Sequence, residues 1–366
     1  MNTGLPLDIL HWTRLLTSRL PHMAPGSGDV LELAGELLEV QRKHFPELKR
    51  YLEVMGIGTG EPWWKQAAPV ALYRRTSLFA GTSQDVVATF LSSGTTDPTR
   101  RSRAPFSQPG LDLMAVAIEV AAQRFLFPDG CFTRILVLAP PPTAAPSMIM
   151  AWGMNHLIGK FGLPGSHFLL GPGGLEPSVI FHELRSCAED GVPVTLIGAS
   201  FGFVHLLDEA DARGVQLILP PGSRAMDAGG FKGRSREIRP AQLVESVQFH
   251  FGVNVVVNLL GMTEMASQLY EDTLARPHTR GIKVDQAWTR TVVVDPDTLE
   301  RVEPGEVGLL VVLDLASVER PCVIRTSDLG REVHGGFELM GRASGEDSRG
   351  CSVSVDELIS GRGKGL

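Results

Sequence analysis

A chain of 366 residues with 43% hydrophobic and 20% charged side chains can bury one large core or two ordinary ones. Its formal net charge of −7, from 34 basic and 41 acidic side chains, excludes the basic footprint that a nucleic-acid binder needs. No apolar run is of bilayer-spanning length, and the start MNTGLPLDILHWTRLL lacks the features of a signal peptide, so a cytoplasmic protein without a membrane partner is expected.

In chain order, residues 1–80 read as mostly helical, with apolar side chains at helical spacing in DVLELAGELLEVQRKHFPELKRYLEVMG and a proline break within it. DVVATFLSS reads as a strand and GLDLMAVAIEVAAQRFL as a helix. Alternation follows: TRILVLAP, VPVTLIGA, VQLILPPG and VNVVVNLLG are strands, separated by the helices PSVIFHELRSCAEDG, FGFVHLLDEADARG and RPAQLVESVQFHFG. Continuous apolar strands alternating with helices predict an α/β fold, doubly wound, with a mostly parallel sheet covered by helices. Near residue 285 the pattern changes to antiparallel strands with turns at DPDT and EPGE. The expected organisation is an α/β body over 1–284, comprising a helical segment over 1–80 and a core over 81–284. A small β-rich subdomain over 285–342 and a short remnant over 343–366 follow.

The four cysteines, Cys131, Cys187, Cys322 and Cys351, show no CxxC pairing, and the ten histidines show no metal-hydrolase spacing. Buried thiols are the plain reading for all four. Four other stretches could carry chemistry. FLSSGTTDPTRRSR is a strand running into a Ser/Thr/Gly turn, whose N–H and O–H donors can wrap phosphate oxygens, although a solvated loop has the same composition. NLLGMTEMASQ ends a strand on a turn presenting Thr263 and Glu264. Glu264 offers hard oxygens to Mg²⁺, while Thr263 could equally be a helix N-cap. VIRTSDLGR presents Asp328, either an acceptor for a ribose diol or a strand-end turn aspartate. LMGRASGEDSRGCS contains Arg342 and Cys351.

SSGTTDP, GMTE, TSDLG and GRASGED, in this order, resemble the motifs of the adenylate-forming superfamily of acyl and aryl acid ligases. GGFKGRSREI and the short GRASGEDSRGCS ending are most similar to the acyl-protein synthetases of bacterial bioluminescence and related phenazine-antibiotic biosynthesis proteins. The resemblance implies an adenylate-forming N-terminal domain with a truncated C-terminal domain, using ATP and Mg²⁺. It implies that Ser92, Ser93, Gly94, Thr95 and Thr96 hold ATP phosphates. Gly229, Gly230, Phe231, Gly261 and Met262 would surround adenine, Thr263 would touch the α-phosphate, and Glu264 would bind the metal. Asp328 would bind ribose, and Arg342 would mark the hinge. It further implies acyl-AMP formation and transfer to a thiol, with Cys351 as the acylated residue and a partner reductase or carrier as acceptor. Proteins of this class often self-associate, which leaves a homodimer as one option that the sequence does not decide.

The chain departs from the pattern at Arg100, where lysine is usual, at Ser327 in place of glycine, and at Leu260 in place of an aromatic. The catalytic lysine of the usual C-terminal domain has no counterpart: either Lys232 substitutes, or adenylation is slow, or the protein mainly binds its acid. Trp152, Phe201 and Phe203 are the aromatic candidates for an acid pocket, and the same residues suit a core. Two rival readings stand beside the ligase. GASFG matches the G-x-S-x-G elbow of serine hydrolases, with Ser200 as nucleophile and Asp272–His278 or Asp328–His334 completing a triad. A non-catalytic protein that binds the acid or the nucleotide is the other.

Overall fold

The computed structural model describes residues 4–92, 101–171, 174–229 and 238–343. The chain begins with helices α1 (Leu7–Arg19), α2 (Asp29–Gln41) and α3 (Pro46–Val54), then a short strand β1 (Ala68–Pro69) and helix α4 (Val70–Tyr73). Strands β2 (Ala88–Leu91) and β3 (Arg103–Phe106) precede helix α5 (Gln108–Phe125). An alternating stretch follows: β4 (Arg134–Leu138), α6 (Ile149–Phe161), β5 (His167–Phe168), β6 (Leu170–Gly171), β7 (Gly174–Leu175), α7 (Pro177–Glu189), β8 (Val194–Gly198), α8 (Ser200–Arg213), β9 (Arg224–Asp227), α9 (Pro240–Phe251) and β10 (Val256–Leu260). The final strands are β11 (Leu269–Glu271), β12 (Ile282–Val284), β13 (Thr289–Val294), β14 (Val307–Asp314), β15 (Val323–Val333) and β16 (Gly336–Arg342).

These elements form two compact units that do not follow chain order: the first joins residues 1–120, 261–269 and the strands from 282 onward, the second 121–260 and 270–281. In the first unit, β13–β14–β15–β16–β12 is an antiparallel sheet. Strand β1 lies parallel to the first half of β15, and β16 pairs with its second half. This is the antiparallel region expected near residue 285. Helix α2 turns Val30, Leu33, Ala34, Leu37 and Leu38 inward at three- and four-residue spacing, and Gln41 ends the same stripe.

In the second unit, β10–β9–β8–β4–β5 is entirely parallel, as the apolar alternation predicts. The chain leaves β4 for β5 on one side and then returns to β8 on the other, so the order reverses between β4 and β8. In open α/β sheets such a reversal opens a crevice at the carboxyl ends of the strands. Ser200 follows β8 there, Asp227 ends β9, and Asn258 lies in β10.

One expected strand is absent. VQLILPPG is extended but unpaired with the sheet, because Leu217 and Leu219 donate their N–H groups to His250 and Phe251 at the end of α9. Gly252 ends that helix in the left-handed conformation at φ 65°, which turns the chain back. The sheet position belongs instead to RAMD of β9. Helix α6, built from IMAWGMNHLIGKF, is an element beyond those expected.

Candidate functional site

The first unit gathers described residues of all four motifs. At the neck of the Ser/Thr/Gly turn, Ser92 N–H donates to the Ser102 carbonyl at 3.0 Å, and Ser102 N–H donates to Ser92 Oγ at 2.9 Å. This closes the β2–β3 hairpin beneath the turn. Ser92 thus accepts a backbone hydrogen bond and retains its own hydroxyl hydrogen. Ser93, Gly94, Thr95 and Thr96 lie outside the described residues. Arg101, beside the neck, has a buried Nε without a hydrogen-bond partner among the described residues.

Gly261–Ser267 is a turn, and no helix begins at Thr263, so the N-cap reading is set aside. The turn is fixed by Asp314 at the end of β14. The Asp314 carboxylate accepts from Ala266 N and Ser267 N at 2.9 Å each and from Ser267 Oγ at 2.6 Å. Trp288 Nε1 donates to the same Ser267 Oγ at 2.8 Å. This network holds Thr263, fully buried, and Glu264, 6% exposed, in one position, while Gly261 is exposed and Met262 half-buried. Burial pushes the Glu264 carboxyl above the ordinary carboxylate range, against the opposing pull of a hydrogen bond with Ser102 and the charges of Arg74 and Arg342. Glu264 therefore meets the base of the phosphate-type turn across a sequence separation that no local pattern shows.

Asp328 is not a strand-end residue. It lies within β15, opposite Arg342 of β16, at the edge of a register shift between Leu329 and Gly330. Arg342 Nε donates to Asp328 Oδ1 at 3.0 Å. The Thr326 hydroxyl accepts Asp328 N–H at 3.1 Å and donates to the Leu310 carbonyl at 3.0 Å, which orients the strand around the carboxylate. The ribose-type aspartate and the hinge-type arginine are thus one ion pair.

In the second unit the organising residue is Asp227, which belongs to none of the four motifs. Its Oδ1 accepts from Ser200 Oγ at 2.7 Å and from Gly229 N at 3.0 Å, and its Oδ2 accepts from Asn258 Nδ2 at 2.8 Å. Gly229 has φ 77°, a conformation that L side chains rarely adopt, so this aspartate holds a turn that only glycine forms easily. Gly230, Phe231 and Lys232 lie outside the described residues, as does Cys351. The hydrolase reading fails here: Ser200 is 1% exposed at the start of α8, and its hydroxyl gives its hydrogen to a carboxylate rather than to a histidine. Phe201 and Phe203 belong to the core of this unit, with Leu138, Leu196 and Val256. Trp152 alone of the aromatic candidates is half-buried, stacked on His156 at 5.7 Å.

The donor set suits the expected ligands. Ser102, Thr263 and Glu264 supply hard oxygens, and Arg74, Arg101 and Arg342 supply positive charge beside them. Among the described residues no group of three or more His, Cys, Asp or Glu could hold a metal alone. A Mg²⁺ at Glu264 would take its remaining ligands from phosphate oxygens and water. Ser102, Arg74, Asp314, Asp227 and Asn258 escape a reading of the sequence because each acts through a tertiary contact; only the serine at the end of the turn carries a local signal. No described helix is long and apolar enough to cross a membrane.

A family model described as acyl-protein synthetase, LuxE, matches residues 175–360. The long-chain-fatty-acid–luciferin-component ligase of Aliivibrio fischeri is 27% identical over 116 residues, covering 29% of this chain and 29% of that protein. The protein of the same name from Vibrio harveyi is 28% identical over 109 residues, covering 28% of this chain and 27% of the relative. The matches thus span well under half of the length of these curated relatives. Among solved structures, a 2-hydroxyisobutyryl-CoA ligase in complex with 2-HIB-AMP superposes with a TM-score of 0.62 at 14% identity, covering 93% of this chain and 74% of that one. ATP-bound MatB from Rhodopseudomonas palustris superposes with a TM-score of 0.50 at 16% identity, covering 72% and 50%. At these identities the likeness is one of fold.

Proposed function

The chain belongs to the LuxE acyl-protein synthetase family, and from that premise we propose that it activates a carboxylic acid with ATP and passes on the acyl group. The observation that carries this reading is the meeting of Glu264 with Ser102 at the neck of the phosphate-type turn, with Arg74 and Arg342 acting on the same carboxyl. Three motifs far apart in the chain converge there on oxygens and cations suited to a triphosphate.

In the proposed reaction a carboxylate oxygen of the acid attacks the α-phosphorus of ATP. The bond from that phosphorus to the bridging oxygen of the leaving group breaks, giving acyl-AMP and pyrophosphate. The chain contributes positioning and charge stabilisation rather than covalent chemistry at phosphorus. The turn after Ser92 and the Arg101 guanidinium bind phosphate, Thr263 donates to it, and Glu264 holds Mg²⁺, which neutralises phosphate charge when bound. Asp328, held by Arg342, accepts from ribose hydroxyls, and Met262 flanks adenine. Lys232 serves as the catalytic lysine in this reading.

The sequence's phenazine-type likeness favours an aryl acid, and the curated relatives are named for long-chain fatty acids. Trp152 is the aromatic to probe for ring stacking. The Cys351 thiol then loses its proton and its sulfur attacks the acyl carbon of acyl-AMP, the bond from that carbon to the phosphate oxygen breaks, AMP leaves, and the resulting thioester hands the acyl group to a partner reductase or carrier, in the cytoplasm, with the protein as a homodimer. The test is ATP–pyrophosphate exchange across a panel of aryl and long-chain acids with Mg²⁺. Exchange dependent on one acid establishes the activity and its substrate class. Absence of exchange with every acid, in protein that still binds ATP by calorimetry, overturns activation and leaves a binding protein.

A further inference from the structure

Apart from the phosphate-type turn, the first unit contains a cleft of about 440 Å³, within the range of small-molecule sites. Arg75 and Arg325 both line it, and its lining includes no carboxylate. Among the described residues neither arginine forms an ion pair with an acidic side chain. Arg325 makes one hydrogen bond there, from NH2 to the Tyr51 hydroxyl at 2.8 Å, so Tyr51 keeps its own hydrogen to donate. Arg75, Arg325 and Tyr51 line one space, and together they bring more donors and more positive charge than the described residues use. The rest of the wall is mostly apolar, with Val70, Leu72, Leu309, Pro69 and Pro296 beside the hydroxyl residues Thr326 and Ser327.

This cleft is distinct from the phosphate-type turn, yet it shares backbone with the nucleotide residues. Ser327 and Ala343 line it, and they are the chain neighbours of Asp328 and Arg342. Arg75 follows Arg74, whose charge acts on Glu264. An occupant would press on the same short segments that hold the ion pair and the buried carboxyl.

We propose that this cleft binds an organic phosphate monoester, its phosphoryl group between Arg75, Arg325 and the Tyr51 hydroxyl and its carbon body on the apolar wall. Two cations without a counter-ion match a dianion better than a single carboxylate, and a phosphate monoester carries about −1.5 to −2 at neutral pH. The apolar wall has no use for a bare inorganic ion.

The test is calorimetric titration of the full chain with phenyl phosphate and, separately, with inorganic phosphate. Wild-type protein is expected to bind phenyl phosphate more tightly than inorganic phosphate. An Arg75→Ala/Arg325→Ala variant is expected to lose about tenfold or more in affinity, as charge-assisted hydrogen bonds require. Glu264→Gln, altered at the nucleotide site, is expected to keep the wild-type affinity. Equal affinity in wild type and the double arginine variant overturns the proposal and assigns the phosphate to the nucleotide turn. Equal binding of the two probes overturns the organic occupant. Arg75 is exposed, so the single Arg75→Ala variant decides the matter if loss of the Arg325–Tyr51 contact unfolds the double one.

Discussion

At the scale of single residues, Glu264 shows function and stability opposed. Its carboxyl is buried, and burial raises its affinity for the proton. A carboxyl whose folded pKa lies above its unfolded value costs stability as pH rises, because the unfolded chain releases its proton first, near pH 4.3 for an ordinary glutamate. The cost accumulates between that pH and the raised folded value. Glu264→Gln removes the titration while keeping the shape. This variant should melt at a higher temperature than wild type at pH 7.5, with the advantage shrinking towards pH 4. In the same protein, ATP–pyrophosphate exchange should fall by about 10²-fold, the usual loss for one electrostatic group in a preorganised site. Thermal melts at several pH values together with the exchange assay check both halves. A variant less stable than wild type at neutral pH would show that the charges of Arg74 and Arg342 outweigh desolvation.

At the scale of elements, one junction of the first unit is Gln41, the last residue of α2. The two hydrogens of its Nε2, one of them shared, reach the carbonyls of Ser317, Val318 and Arg320 at 2.7–2.9 Å, and its Oε1 accepts Cys322 N–H at 3.0 Å. One buried amide thereby satisfies the irregular connection between β14 and β15, which would otherwise leave several backbone groups unpaired in the core. Gln41→Ala should cost about 3 kcal/mol, since each stranded buried group costs roughly 1–3 kcal/mol, and chemical denaturation measures it. A loss below about 1 kcal/mol would mean that water reaches these carbonyls. The same junction shows what a sequence can and cannot display. The apolar stripe of α2 has a period, and so do β4, β8 and β10, which are all legible. Strand β9 has four residues, RAMD, with arginine and aspartate among them, and no apolar run marks it. VQLILPPG has the stronger strand pattern, but hydrogen bonds to the end of α9 claim its backbone. The GMTE and TSDLG stretches are legible as motifs, whereas Asp314 and Asp227, which hold such turns in place, become legible only once the fold brings them near.

At the scale of the whole molecule, the proposed activation raises the question of where an acyl group would go, and the cysteines bear on it together. A thioester requires a thiolate that can form and be reached. Cys322 is fully buried, and burial pushes its thiol far up, away from ionisation at neutral pH. Cys187 is also buried, and burial raises its thiol despite the opposing charge of Arg134, whose NH1 lies 3.3 Å from the sulfur. Cys131 is half-buried, with its Sγ 3.7 Å from the Phe132 carbonyl, and lies just before β4 rather than near any of the four motifs. Cys351, in the RGCS sequence after the GR motif, is then the thiol to test. Incubation with radiolabelled acid, ATP and Mg²⁺ should leave a hydroxylamine-labile label on wild-type protein and on Cys131→Ser, and none on Cys351→Ser. Because pyrophosphate exchange precedes acyl transfer, Cys351→Ser should keep its exchange rate within about twofold, as expected for a residue outside the adenylation step. Label that persists in Cys351→Ser would remove this cysteine from the pathway and direct the acyl-AMP to a separate acceptor.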